Sequence, residues 1–94
     1  MQIKWLENAV LDLQELYQYI TFDSPQAAKR VTKRIRKATN LLIGQPHIGR
    51  PGRIHGTREL IVTGTPYIVP YRVKRNVLEI LRVLHSARQW PDHL

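Results

Sequence analysis

His85, Arg88 and Trp90 stand close together near the end of the chain, in the run LRVLHSARQWP. An imidazole that titrates near neutrality can take or give a proton at physiological pH. A guanidinium presents a fork of donors to a carboxylate or a phosphate, and an indole often anchors a protein interface. Such a trio could serve a reaction at a phosphodiester or a contact with another macromolecule. Each residue also has a structural reading. His85 could be a strand-end histidine satisfied by backbone, Arg88 could pair with Asp92, and Trp90 beside Pro91 could cover the end of a sheet.

Two arginines lie further back. Arg58 opens an apolar run. Arg72 sits between Tyr71 and Val73, so in a strand its side chain leaves on the face opposite theirs. A cross-strand ion pair with Glu59 or Glu79 is the expected role for Arg72. Tyr67, Tyr71 and Trp5 are expected to pack in the sheet or core. His47, His55 and His93 lack the neighbouring carboxylates or helical spacing of a metal site, so neither a metal nor a cofactor is expected. The chain has no cysteine, which excludes disulfides and thiolate ligands.

Charge adds a second signal. Fifteen Lys and Arg oppose seven Asp and Glu, a net +8. No acidic residue lies between Ser24 and Thr57, where Lys29, Arg30, Lys33, Arg34, Arg36, Lys37, Arg50 and Arg53 all fall. A block of one sign attracts polyanions or an acidic protein. Arg30, Arg34 and Lys37 are its candidate contacts.

The elements that must position these groups can be read from periodicity. Gln2 to Trp5 is a short strand. From Leu6, the residues Ala9, Val10, Leu13, Leu16, Tyr17 and Ile20 form one helical stripe. A break is expected at Thr21–Asp23. Ser24 then caps a second helix that has Pro25 in its first turn and the stripe Ala28, Val31, Ile35, Ala38, Leu41 and Leu42. Gly44 and Pro46 mark its end. A connection of about four residues predicts an antiparallel helical hairpin. Gln45 to Gly56 is a loop. Three β runs follow: Arg58–Val62, Tyr67–Val73 and Val77–Leu84, with a tight turn at Lys74–Asn76. Short connections predict antiparallel pairing. Pro70 has no amide donor and predicts a bulge or an unpaired position. The expected fold is α+β in the order β-α-α-β-β-β, with the helices on one face of an antiparallel sheet. One domain is expected over residues 1–94, at a length that supports one modest core. No run approaches the ~20 apolar residues of a membrane span, and the N-terminus lacks a secretory layout. A cytoplasmic protein is expected.

This order of elements resembles the RelE/ParE superfamily of bacterial type II toxin–antitoxin toxins. The residues that carry the likeness are Arg58-Glu59-Leu60, Tyr67, Tyr71-Arg72-Val73 and the block Val83 to Pro91. Trp5, Ala9, Asp12-Leu13 and Tyr19-Ile20 are similar to the family's opening helix, and a basic second helix with a Gly/Pro loop follows. The resemblance implies one of two activities. RelE-like members cut messenger RNA in the ribosomal A site. ParE-like members block DNA gyrase without nuclease chemistry.

For cleavage, His85, Arg88 and Arg58 would have to supply the acid–base group and the cations. Glu59 sits where a nuclease would want a cation and would repel phosphate. Leu94 cannot transfer a proton. The ParE-like branch fits better, with Arg58, Arg72, His85, Arg88 and Trp90 as target or antitoxin contacts and no residue assigned as catalytic. The implied partners are a cognate antitoxin of ribbon-helix-helix or similar DNA-binding type, and DNA gyrase. The ribosome and its message are the alternative target. A basic nucleic-acid-binding module without toxicity is a third reading, although the chain lacks a stacking platform or a recognition motif.

Overall fold

The computed structural model describes all residues from Met1 to Leu94. Strand β1 (Gln2–Trp5) leads into α1 (Glu7–Asp23), α2 (Pro25–Leu41), β2 (Arg50–Pro51), β3 (Arg58–Ile61), β4 (Tyr67–Lys74), β5 (Val77–Ile80) and β6 (Leu84–His85). The sheet order is β1-β5-β4-β3-β2, with β6 also paired to β4. The α+β class and the order of helices and main strands are as expected from sequence.

The sheet is mixed rather than wholly antiparallel. The chain leaves β1 through both helices before it returns, so β1 can join β5 parallel, with Ile3 beside Leu78 and Trp5 beside Ile80. The remaining pairs are antiparallel. The hairpin between β4 and β5 turns at Arg75 and Asn76, both at positive φ (52° and 63°). That is the backbone twist a two-residue hairpin favours.

The two helices meet at a single residue. Helix α1 continues through Thr21, Phe22 and Asp23, where a break was expected. The break falls at Ser24, because a residue before proline is driven out of the helical region; its φ is −157°. Ser24 serves both helices. Its N–H donates to the Ile20 carbonyl, and its hydroxyl accepts from the Ala27 N–H at 3.1 Å. Gly44 is not at positive φ, so α2 ends in successive turns rather than in a left-handed cap.

Alternation along the strands turns Leu60, Val62, Tyr67, Val69, Tyr71, Leu78 and Ile80 into one core with Ala9, Leu13, Leu16, Ile35 and Leu42 of the helical side. In α2, Thr39 is buried and donates its hydroxyl to the Arg36 carbonyl at 2.8 Å, while Leu41 is 58% exposed. Tyr71 reaches past the core to the loop after α2. Its hydroxyl accepts from the Gly49 N–H at 3.0 Å and donates to the Pro46 carbonyl at 2.8 Å. A Cβ on Gly49 would lie 2.6 Å from that ring, so only glycine allows the approach.

The irregularity expected at Pro70 is present. Leu81 donates its N–H to the Pro70 carbonyl at 2.9 Å, but proline cannot donate in return. Tyr71 faces Ile80 while Ile68 faces Leu84. Three steps along β4 therefore span four on the partner segment, which is a bulge. Asp12 of α1 fills the gap in pairing. Its carboxylate accepts from Arg82 Nε at 2.7 Å, from a terminal Arg82 nitrogen at 3.0 Å, and from the Val83 N–H at 2.9 Å. The same hydrogen bonds raise the Arg82 pKa, against burial that lowers it.

Asp12→Asn keeps the shape and removes the charge. Urea unfolding is expected to show a loss of about 1.5–3 kcal/mol, the range for hydrogen bonds to charged groups, whereas Lys29→Ala on the exposed face should stay within about 0.5 kcal/mol of the unmodified protein.

Candidate functional site

The bulge releases the chain from regular pairing just before β6. The two-residue strand β6 then places His85 beside Tyr67. Their rings meet edge to face, with centroids 5.4 Å apart and planes at 85°. The Ser86 N–H donates to the Pro66 carbonyl at 2.8 Å, and the Arg88 N–H donates to the His85 carbonyl at 3.2 Å. His85 Nδ1 accepts from the Ala87 N–H at 3.1 Å.

The tail turns back toward α1. The Arg88 guanidinium lies 5.2 Å from the centre of the Tyr19 ring, within reach of a cation–π attraction. Asp12, Glu15, Tyr19, Tyr67, His85, Arg88 and Trp90 are among the residues that line a cleft of about 310 Å³ between α1 and the tail. His85, Arg88 and Trp90 therefore do share one site. Arg88 has no ion-pair partner; the pairs of this protein are Arg50–Glu59, Arg72–Glu79 and Arg82–Asp12. Burial raises the Tyr67 pKa above its usual 10.0, and Arg88 pulls in the opposite direction.

The other sequence candidates lie elsewhere. Arg58 donates to the carbonyls of His47 at 3.2 Å and Gly49 at 2.8 Å, so its guanidinium holds the loop. Arg72 pairs with Glu79 at 2.6 Å, one of the two partners expected. That hydrogen bond lowers the Glu79 pKa below 4.5. The pair stabilises the fold above the unfolded carboxylate's range and is lost as pH falls through the depressed folded value. Glu59 is only 4% exposed. It accepts from Arg50 Nε at 3.0 Å and from the Arg53 N–H at 2.9 Å.

Arg30, Arg34 and Lys37 line a second groove of about 630 Å³ between α2 and β3. Its floor is apolar, with Ala38, Leu41, Ile48, Leu60 and Ile61. Strand β2 pairs only with Arg58 and Glu59. Val62 donates to Tyr67 on the β4 side, so alternation turns the N–H and C=O of Ile61 to the outer edge, where no strand lies. The next outward carbonyl, Thr63, accepts from Arg34 at 3.4 Å.

Several residues of these sites did not stand out in the sequence. Tyr19 falls off the apolar stripe of α1, and an aromatic in that position is a usable signal for a surface role. Phe22, on the same helix but outside both sites, is another exposed aromatic, at 94% exposure. Arg53 lies over the Trp90 ring at 3.9 Å, and nothing in the sequence pattern links the two.

Residues 3–90 match the family described as ParE toxin of type II toxin–antitoxin system, parDE. The chain belongs to the ParE toxin family. Two proteins named as toxins are similar to this ParE-family chain along nearly its whole length. Y4kP of Sinorhizobium fredii is 48% identical over 93 residues, covering 99% of this chain and 96% of the relative. RelE2 of Caulobacter vibrioides is 36% identical over 87 residues, covering 93% and 97%. Among solved structures, a chain of the chromosomal ParDE toxin–antitoxin system from P. aeruginosa is 30% identical, covers 90% of this chain and 95% of its own, and superposes with a TM-score of 0.81. The family implies an antitoxin partner.

Tyr67 reports on the cleft. Its raised pKa means that it stabilises the fold fully below the unfolded phenol's 10.0 and loses that contribution as pH rises through the folded value. Arg88→Ala removes the opposing cation. In ultraviolet titration, with Tyr67→Phe as the difference control, the Tyr67 phenol should then ionise at still higher pH.

Proposed function

We propose that this ParE-family toxin blocks DNA gyrase through the cleft between α1 and the C-terminal tail, and that its antitoxin occupies the groove between α2 and β3. The observation that carries the first part is the pairing pattern around the cleft. Arg88 is exposed and free of any carboxylate, beside Tyr19 and Trp90. Arginine and aromatic side chains are the usual anchors of a protein contact.

The same cleft is poorly equipped for cutting RNA. Arg58 is spent on two backbone carbonyls, and Glu59 is buried within its own hydrogen bonds. Glu15, on the cleft wall, would repel a phosphodiester. Ribosome-dependent cleavage keeps one favourable observation, which is that His85 and Arg88 line one cavity.

The groove suits an extended segment of the antitoxin with alternating apolar and acidic side chains. Apolar groups would meet Leu41, Ile48 and Ile61, and acidic groups would meet Arg30, Lys33, Arg34 and Lys37. The outward N–H and C=O of Ile61 would bond the incoming backbone, as in strand addition. Nucleic acid would use the cations and leave the apolar floor unmatched. No helix of the protein is long and apolar enough to cross a membrane, and we infer that it acts in the cytoplasm, as a single domain.

The test uses purified protein in two assays, gyrase supercoiling and cleavage of a translated message. Inhibition of supercoiling is expected, about 10–30-fold weaker in Arg88→Ala or Trp90→Ala, the effect of losing an interface anchor. Ile61→Glu, at an exposed groove position, should weaken the antitoxin complex and leave inhibition intact. Message cleavage that disappears in His85→Ala, with supercoiling untouched, would overturn the gyrase reading.

A further inference from the structure

We propose that Glu59 and Arg53 are positioning residues for the C-terminal tail, and thereby for the surface that carries Arg88. The inference rests on the reading of that tail as the target surface. Glu59 lies on β3 and is nearly excluded from water. A buried carboxylate must be satisfied, and here its two oxygens take separate donors. Oε1 takes Arg50 Nε, and Oε2 takes the Arg53 backbone N–H. The second bond fixes Arg53 in the connection between β2 and β3, within the turn closed by Gly52 and Thr57.

Arg53 then makes no ion pair. Its guanidinium lies 3.9 Å over the Trp90 ring, close enough for a strong stack. The indole in turn donates its Nε1–H to the His85 carbonyl at 3.3 Å. That carbonyl also accepts the Arg88 N–H. One oxygen thus ties the indole to the turn from which Arg88 projects. The relay runs from a buried acid on the sheet, through a loop cation, to the indole and the exposed guanidinium. Trp90 is half-buried, while its chain neighbours Gln89, Pro91 and Asp92 are exposed.

The chain has tryptophan only at positions 5 and 90, so Trp5→Phe leaves Trp90 as the single reporter. In that background, collisional quenching of fluorescence by acrylamide measures how far the indole is shielded. Arg53→Ala should shift the docked-to-undocked ratio of the tail by about 2–5-fold, the worth of an exposed cation–π pair, and quenching should rise. Arg53→Lys, which keeps a cation over the ring, should restore shielding in part. Glu59→Gln should act in the same direction as Arg53→Ala, because a side-chain amide weakens the hold on the Arg53 N–H. Lys29→Ala removes an equal charge elsewhere and should leave Trp90 as shielded as before.

Circular dichroism and thermal unfolding would identify a variant that has lost its fold; Arg53→Ala, an exposed loop change, is chosen so that the test does not depend on Glu59. Supercoiling inhibition should fall in step with Trp90 shielding across the series. Unchanged shielding in a folded Arg53→Ala protein would overturn the proposal. So would lost inhibition with the indole still shielded, since Arg53 would then touch the target itself. The fluorescence measurement needs no target, so a wild-type protein inert toward gyrase would defeat the functional reading without disturbing this one.

Discussion

The position of the C-terminal cleft depends on a missing hydrogen. Pro70 lies in the central strand of the sheet, where it accepts from Leu81 and can return nothing. Regular pairing stops there, and the following backbone would be left with an unmatched N–H at Val83. An orphaned amide away from water costs about as much as a lost hydrogen bond. Asp12, from a helix far away in sequence, supplies the acceptor and binds the neighbouring Arg82 side chain at the same time. The result fastens α1 to the sheet at the point where the last strand changes register. With α1 held there, Glu15 and Tyr19 fall opposite His85 and Arg88, and a cleft exists between them.

Much of this was legible in the sequence because it is local. The stripes of both helices, Ser24 as a cap, the Arg75–Asn76 turn and the anomaly at Pro70 each follow from residue type and spacing. Residue type marks Ser24 as a cap, yet places the break three residues early, because Thr21–Asp23 have modest helix propensity and the decisive constraint is the proline that follows. The parallel place of β1 was not legible, because no short turn dictates it. Leu41 also departs from the expected stripe, while Thr39 is buried. At the end of α2 the threonine hydroxyl satisfies itself on Arg36 and can be buried, which turns Leu41 toward the groove.

The site was legible as a set of residue types and not as a set of partners. His85, Arg88 and Trp90 share a short segment, so their proximity follows from the chain. Arg58 and Arg72 belong to neighbouring strands, and their engagement with loop carbonyls and with Glu79 depends on face and register. Glu59 illustrates the difference. Sequence marks it as an acid placed badly for phosphate, whereas the fold gives it one donor from β2 and one from the turn that follows, and its charge is neutralised inside the protein. Of the acids that do form ion pairs, none pairs with α2, so the cations of that helix remain available to a partner.

The unfinished outer edge of β3 has a cost for the protein when it is alone. A strand with open backbone groups is a template for another copy of itself. Here two identical copies that approached edge to edge would bring Arg30, Arg34 and Lys37 of one against the same cations of the other. Like charges at close range oppose that encounter, while they draw an acidic chain toward the same edge. The guard is electrostatic and therefore conditional, since the screening length contracts from about 8 Å at physiological ionic strength to about 3 Å in molar salt. In concentrated salt, the protection against self-aggregation and the attraction for a neutralising partner should fade together.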